Sequence, residues 1–224
     1  TNNVGIGIDA LNALTSGDSN VAIGFSAGTD LTEGVSNILI GKDAGENITT
    51  GDYNVAIGHV ALEQSTDGNK SVAVGAFALR QQNSSGDARN VAVGYEAGKE
   101  VTSGLNNTLI GAHAGDALTS GSYNVALGYF ALQAEDQHGR NVAVGWRALT
   151  NQNAGADAYN VAIGYDAGKS VSTGVKNIIV GGLAGDSLTT ATENTIVGYE
   201  ALSDATTCNY NTVLGTQAMK VGQN

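Results

Sequence analysis

The chain contains no proline among its 224 residues, although proline makes up about 5% of an average protein. Proline removes a backbone N–H, so its absence fits a structure in which nearly every N–H joins a hydrogen-bonded ladder. A single cysteine, Cys208, excludes an intrachain disulfide, and cysteine and histidine are not clustered at zinc-binding spacings. No apolar run approaches the ~20 residues of a membrane-spanning helix, and no secretory signal is present, so we expect no membrane insertion.

Positive charge is also scarce. Ten Lys and Arg residues against 21 Asp and Glu residues give a net charge of −11, which opposes binding to nucleic acid or to anionic membranes. The simplest interpretation of the acidic excess is the solubility of an exposed rod. Scattered calcium sites are the alternative, but clustered Asp-x-Asp-Gly ligands are absent. We therefore expect no cofactor, no metal and no nucleic-acid partner.

A short repeat fills the chain. The segment Asn-Val-Ala-Ile-Gly at 20–24 returns twelve more times, and its Asn is taken here as repeat position 1. Ten of the twelve steps between copies are 17 residues long and two are 19 residues long. A fixed short period predicts a solenoid, in which each unit is stable only when stacked on its neighbours. The copies start at residues 3, 20, 37, 54, 71, 90, 107, 124, 141, 160, 177, 194 and 211.

A second period of 70 residues is superimposed on the first. From residue 20 the steps run 17, 17, 17 and 19, and the same run begins again at residue 90. In each 70-residue block the first two copies carry Ala-Gly at positions 8 and 9, and the next two carry Ala-Leu. We call these Gly-ending and Leu-ending coils. The unbroken period predicts one continuous domain over residues 1–224, and we expect it to be a fragment of a longer fibre.

Side-chain alternation predicts an all-β fold. Positions 2 and 4 are almost always Val, Ile, Leu or Thr, which places them on one face of a strand. Gly-ending coils have an aliphatic residue at position 12, whereas Leu-ending coils have a polar or small one there, so the two coil types fill the same thin core in alternate ways. The sequence therefore predicts a parallel β-solenoid or β-roll of about 13 coils, forming a rod on the order of 60 Å long at ~4.8 Å per coil.

The asparagine at position 1 predicts a stacked amide ladder, in which each side chain bonds to the coils above and below. We expect this structural ladder to be formed by Asn20, Asn37, Asn54, Asn90, Asn107, Asn124, Asn141, Asn160, Asn177, Asn194 and Asn211.

One segment imitates a catalytic motif. Residues 24–28 match the Gly-x-Ser-x-Gly nucleophile elbow, which requires a strand, a turn and a helix in a hydrolase fold. Here Ser26 occupies repeat position 7, which is Asp, Val, Phe, Glu, His or Arg in other copies, so the match is a coincidence of the repeat. No nucleophile, base and oxyanion donors converge in the pattern, and we expect that the protein is not an enzyme.

Aromatic residues recur at position 6. On stacked coils, Tyr129, Trp146 and Tyr165 would form a column along one side of the rod. Such a column is a structural stack that shields the ladder or packs against another chain, or a platform for the sugar rings of a host-surface glycan or receptor.

The unit Asn-Val-Ala-Ile-Gly-Tyr-x-Ala-Gly/Leu with its Thr-x-Gly turn resembles two related groups of repeats. Residues 54–62 and 124–132 are similar to the repeats of phage and viral tail-fibre proteins that precede an endosialidase-type intramolecular chaperone. The head repeats of YadA-like trimeric autotransporter adhesins are related but have a shorter period. The resemblance covers the whole chain, and it implies a homotrimeric fibre of parallel chains.

These features favour a structural and adhesive segment of a viral or phage tail fibre, or of a surface appendage, that supports host attachment. Its location would be the virion tail fibre or the cell surface, outside the cell. One alternative is the head of a bacterial trimeric adhesin, which a downstream coiled-coil stalk and anchor would distinguish. An ice-binding solenoid is a further alternative, but the periodic Thr32, Thr49, Thr102 and Thr119 are interrupted by Leu-ending coils.

Overall fold

A computed structural model describes residues 2–220, and over this range the protein contains strands and turns but no helix. Thirteen three-residue strands occupy repeat positions 2–4 and form one parallel sheet in chain order. Two short strands, β5 (Gly68–Asn69) and β7 (Gly86–Asp87), lie just before the copies that start at residues 71 and 90 and pair with each other. The strands of the long sheet are β1 (Val4–Ile6), β2 (Val21–Ile23), β3 (Ile38–Ile40), β4 (Val55–Ile57), β6 (Val72–Val74), β8 (Val91–Val93), β9 (Thr108–Ile110), β10 (Val125–Leu127), β11 (Val142–Val144), β12 (Val161–Ile163), β13 (Ile178–Val180), β14 (Thr195–Val197) and β15 (Thr212–Leu214).

Each strand pairs in register with the copies before and after it. Val125 lies opposite Thr108 on one side and opposite Val142 on the other. Because consecutive copies are sheet neighbours, the chain advances by one strand spacing per repeat and completes about twelve turns between β1 and β15. The predicted all-β parallel solenoid is therefore confirmed.

The interior of the solenoid lies behind repeat position 3, not behind positions 2 and 4. Ala56 and Leu109, both at position 3, are fully buried, whereas Ile57 and Ile110, at position 4, are more than a third exposed. The sequence pattern placed positions 2 and 4 together on one face of the strand, and the structure shows that this face is the outer one. The physical reason is space, since the interior is so narrow that alanine is the usual inward residue and the larger side chains alternate outward.

Positions 9 and 12 fill the rest of the interior as predicted. Leu62 at position 9 and Ile48 at position 12 are both fully buried. A Cβ atom at Gly45 would lie 2.8 Å from Cδ1 of Ile48 and 2.7 Å from Cδ2 of Leu39. Glycine is therefore required where position 12 is aliphatic, because the two side chains compete for one space.

The turns depend on left-handed backbone at residues other than glycine. Position 7, position 9 and the residue before the Asn all have positive φ in successive coils, as at Val60 (φ 51°), Leu62 (φ 55°) and Tyr53 (φ 57°). This conformation is costly for β-branched residues, so the stacking of neighbouring coils must impose it. Only position 9 carries a sequence signal for this conformation, because it is glycine in the Gly-ending coils, as at Gly45 (φ 57°).

The asparagines at position 1 lie inside the solenoid and join the coils. Asn107 Oδ1 accepts hydrogen bonds from the backbone N–H of Asn124 at 2.9 Å and from its Nδ2 at 3.2 Å. Asn107 Nδ2 also donates to the carbonyl of Gly121 at 2.9 Å, which ties the end of the same coil to its beginning. We call this column the asparagine ladder, and it satisfies backbone groups that burial would otherwise leave unpaired.

One copy has serine instead of asparagine, and a glutamine spans the gap. Gln82 Nε2 donates to Ser71 Oγ at 3.0 Å, and Gln82 Oε1 accepts from Asn90 Nδ2 at 2.8 Å. Gln82 occupies the inward position 12 of a Leu-ending coil, where no aliphatic side chain is needed. The polar residue at this position therefore continues the ladder across the serine.

Candidate functional site

An uncharged aliphatic strip runs along the outer side of the long sheet. It consists of positions 2 and 4 of the thirteen strands, and every residue there is Val, Ile or Leu except Thr108, Thr195 and Thr212. We call it the aliphatic face. Its length is on the order of 60 Å and its width on the order of 10 Å, given ~4.8 Å between strands and ~3.3 Å per residue. Its area of roughly 600 Å² is at the upper end for a monomeric protein, and patches of that size mark interaction surfaces.

A series of aromatic rings lies at positions 6 and 7, next to the aliphatic face. His59, Phe77, Tyr95 and His113 contact one another edge to face, with ring centroids 5.4 to 5.9 Å apart. The series continues through Phe130 and Tyr129 and reaches Trp146, which is stacked 4.5 Å from Tyr129. We call these seven residues the aromatic ladder. Edge-to-face and offset contacts are the arrangements that ring quadrupoles favour.

The three residues expected to form an aromatic platform are only partly brought together. Tyr129 and Trp146 are in the aromatic ladder, and Trp146 is 47% exposed. Tyr165 is exposed on the following coil, but within residues 2–220 the series of ring contacts ends at Trp146. His59 and His113 belong to the ladder although the sequence did not point to them. The alternation of rings between positions 6 and 7 was the signal that could have located them.

A charged pair connects the end of the aromatic ladder to the next coil. Arg147 Nε and Nη2 donate to the two carboxylate oxygens of Asp166 at 2.9 and 2.6 Å. Asp166 is only 3% exposed, and its hydrogen bonds raise the pKa of Arg147. A bidentate pair of this kind fixes the geometry of both side chains, so the backbone beside Trp146 is held firmly.

His113 lies between two carboxylates within the aromatic ladder. Its Nδ1 atom is 3.3 Å from Asp116 Oδ2 and 3.5 Å from Glu96 Oε2. Burial raises the pKa of Asp116, although His113 and the side chain of Gln133 act in the opposite direction. Lys99 Nζ also lies 3.5 Å from Glu96 Oε2, so this cluster contains both signs of charge.

A second column of tyrosines lies at the corner before the asparagine ladder. The guanidinium of Arg140 lies 5.3 Å from the ring centre of Tyr123 and 5.7 Å from that of Tyr159. Its Nε also donates to the hydroxyl of Tyr159 at 3.1 Å. The contacts are cation–π contacts between exposed groups and hold neighbouring corners together.

The surface over residues 2–220 has no pocket, and Ser26 of the elbow-like motif is buried within its coil. The same residues include no helix able to cross a membrane. Comparisons with protein-family models, with curated proteins and with solved structures gave no match. The aliphatic face and the aromatic ladder are therefore the candidate functional surfaces of the rod.

Proposed function

We propose that this chain is a structural and adhesive fibre segment, in which three parallel copies pack their aliphatic faces together. The main support for this proposal is the aliphatic face, an uncharged strip that continues over all thirteen strands. The chain has a net charge of −11, yet one side carries no charge along its whole length. This contrast supports the interpretation that another surface covers that side.

The dimensions of the aliphatic face support a threefold arrangement. Each strand contributes only two outward side chains, so the strip is narrow enough for three copies to converge on a common axis. Identical chains in the same direction would place like coils at the same height, so that each aliphatic layer meets its own equivalent. The fibre location and the tail-fibre or surface-appendage role rest on the resemblance of the repeats.

The test is the mass of the particle in solution, measured by light scattering coupled to size exclusion. We expect three times the chain mass of 22.6 kDa for the natural sequence. The double variant Ile110→Lys/Leu127→Lys places two charges in the middle of the aliphatic face, and we expect it to have the mass of one chain. Asn151→Lys, at an exposed position away from that face, is the matched control and should remain trimeric.

Other masses would overturn parts of this proposal. A monomeric natural chain would remove the fibre proposal. A dimer that the double variant dissociates would retain the aliphatic face as the interface but refute the threefold arrangement.

We further propose that the aromatic ladder supports attachment to a host-surface glycan. Its exposed rings offer flat apolar surfaces on which sugar rings can stack, and Arg147 and Asp166 supply polar groups at its end. On a glycan array, Trp146→Ala should lose binding while its melting temperature stays unchanged. Phe25→Ala is the control, because Phe25 is an exposed position-6 ring outside the ladder. Equal binding by Trp146→Ala and the natural chain would refute the platform and leave the rings a structural role.

The threonine columns support the fibre over the ice-binding alternative. Thr32 Oγ1 donates to the carbonyl of Thr49 at 3.1 Å, and Thr102 Oγ1 donates to the carbonyl of Thr119 at 3.1 Å. These hydroxyl groups are engaged in joining coils instead of forming a free lattice. Thermal hysteresis in solution would contradict this preference.

A further inference from the structure

The coil at 124–140 differs from its counterpart one block earlier, at 54–70, at several positions, and the differences in one turn bring new ionisable side chains together. Glu135 stands where the earlier coil has Ser65, and His138 stands where it has Gly68. A small polar residue and a glycine are thus replaced by a carboxylate and an imidazole in the same turn. Asp136, in place of Thr66, adds a second carboxylate.

The two new side chains meet at a partly closed site. Glu135 is fully buried, and its Oε1 atom lies 3.9 Å from Nδ1 of His138. The Nδ1 atom is itself buried and has no hydrogen-bond partner. One oxygen of Asp136 lies within 4.8 Å of both groups, and the half-buried Asp136 and His138 leave an opening to solvent.

Hydrogen bonds within the chain do not fully account for this arrangement. The donors to Glu135 include the backbone N–H of His138 at 3.3 Å and Asn141 Nδ2 at 3.4 Å, both longer than a good N–H···O bond. The backbone N–H groups of Ala154 and Asp136 also interact with this carboxylate and lower its pKa, but none of these donors serves the imidazole nitrogen. At 3.9 Å the imidazole is too far away to donate to the carboxylate. A buried carboxylate and a buried ring nitrogen therefore face the same space without satisfying each other.

We propose that Glu135, Asp136 and His138 bind a zinc ion, with water from the open side as the fourth ligand. Imidazole nitrogen and carboxylate oxygen are ligand types that zinc accepts, at ~2.0 to 2.2 Å. A tetrahedral ion with such bonds separates its ligand atoms by about 3.4 Å, so closing the site from 3.9 Å requires a movement of roughly half an ångström. Burial raises the pKa of Glu135 to about 7, and a dication would compensate for the hydration that this carboxylate has lost.

The cluster of Glu96, His113 and Asp116 is the competing site on this chain, since its ligand atoms also lie within 4.8 Å of one another. Its charges already have partners, because Lys99 neutralises Glu96 and His113 bridges the two carboxylates. We therefore assign the ion to the buried site, where the imidazole nitrogen has no other partner.

The chain itself supplies a matched variant for each site. Glu135→Ser/His138→Gly places at these two positions the residues that the coil at 54–70 has there, Ser65 and Gly68. His113→Leu introduces the residue that occupies the same slot at Leu183, with a positive φ in both cases. Both variants should remain folded and retain the oligomeric mass of the chelator-treated natural protein.

Titration of chelator-stripped protein with zinc chloride, followed by calorimetry, tests the proposal. We expect one ion per chain, an affinity at least about tenfold weaker in Glu135→Ser/His138→Gly, and no change in His113→Leu. Cobalt substitution should give the visible absorption of a tetrahedral site only when Glu135 and His138 are present. Absence of binding by the natural chain, equal binding by the double variant, or loss of binding in His113→Leu would each overturn the assignment. The outcome does not depend on whether the rod is a trimer.

Discussion

At the residue scale, the asparagine ladder shows how one polar side chain can serve two coils at once. A position-1 asparagine closes its own coil through Nδ2 and caps the backbone of the next coil through Oδ1, as Asn107 does with Gly121 and Asn124. The periodic Asn in the sequence was enough to predict a stacked ladder. The bond that closes each coil was not predictable, because it depends on where the turn at position 15 lies in space.

Replacing one ladder asparagine should be costly. In Asn107→Ala the buried N–H of Asn124 and the carbonyl of Gly121 lose their partners, and each unpaired buried group costs about 1–3 kcal/mol. We expect the free energy of unfolding to fall by about 2–4 kcal/mol in urea titration. Asn151→Ala, at an exposed position, should change it by less than about 0.5 kcal/mol. Equal losses in the two variants would contradict a stabilising role for the ladder.

The buried Glu135 should make stability depend on pH. Desolvation raises its pKa from 4.5 to about 7 in the folded chain, so the folded state binds more protons than the unfolded state between these values. The contribution of Glu135 to stability is therefore most favourable below about pH 4.5 and becomes less favourable as the pH rises to about 7, by on the order of 3 kcal/mol.

The measurement is the difference in unfolding free energy between the natural chain and Glu135→Gln, in buffer containing a chelator. The two chains differ only at residue 135, so the difference reports the ionisation of Glu135. A constant difference from pH 4.5 to 7 would show that the carboxylate is better solvated than its burial indicates. Sequence reasoning did not single out Glu135, because only the fold makes position 12 of this coil an inward one.

At the scale of the element, each strand is followed by a glycine that lies against the glycine of the next coil. Gly128 has φ 135°, and a Cβ atom there would lie 2.3 Å from the carbonyl oxygen of Gly145. Neither the backbone angle nor the backbone contact can change without separating two coils. Gly128→Ala should therefore destabilise the protein by at least about 3 kcal/mol or prevent folding.

Gly155 provides the control for this prediction. A Cβ atom at Gly155 would meet nothing within 4 Å. Thermal unfolding of Gly155→Ala should match that of the natural chain, whereas Gly128→Ala should melt far lower or be insoluble. Similar melting of both variants would mean that the coils can separate to admit a methyl group.

The strands also show that alternation in a sequence predicts which residues share a face but not which face is buried. The pattern at positions 2 to 4 correctly predicted a strand whose outer residues share one face. It could not decide which face is buried, since alanine fits either a tight interior or a surface. In most strands the inward residue is alanine, but Leu39 and Leu109 show that some coils admit a large aliphatic residue at position 3.

At the scale of the whole molecule, the period predicted the architecture almost completely. Parallel stacking and the exchange between positions 9 and 12 followed from counting residues. The aromatic ladder followed only in part, because contacts such as His113 with Phe130 join different repeat positions on neighbouring coils. Partners were the least predictable, since they depend on exposed residues that the repeat leaves free to vary.

The order of Gly-ending and Leu-ending coils can be tested by deleting parts of the chain. Removal of residues 90–159, one block of 70, joins the Leu-ending coil at 71–89 to the Gly-ending coil that starts at residue 160. In the natural chain a Gly-ending coil also follows it, at residue 90. We expect a folded rod shorter by four coils, about 19 Å, by small-angle scattering. Removal of residues 90–106 alone would bring the inward Leu109 next to Leu79, where Gly98 now leaves space between them. That variant should melt at a clearly lower temperature although it has lost less of the chain.

The 70-residue block is thus the smallest segment whose gain or loss keeps the order of the coils. Duplication or loss of a gene segment of that length would change the length of the rod in one event and keep the order of Gly-ending and Leu-ending coils. A change of a single coil would instead place two large side chains, or none, in the same space. Rods built in this way would therefore differ in length by steps of four coils.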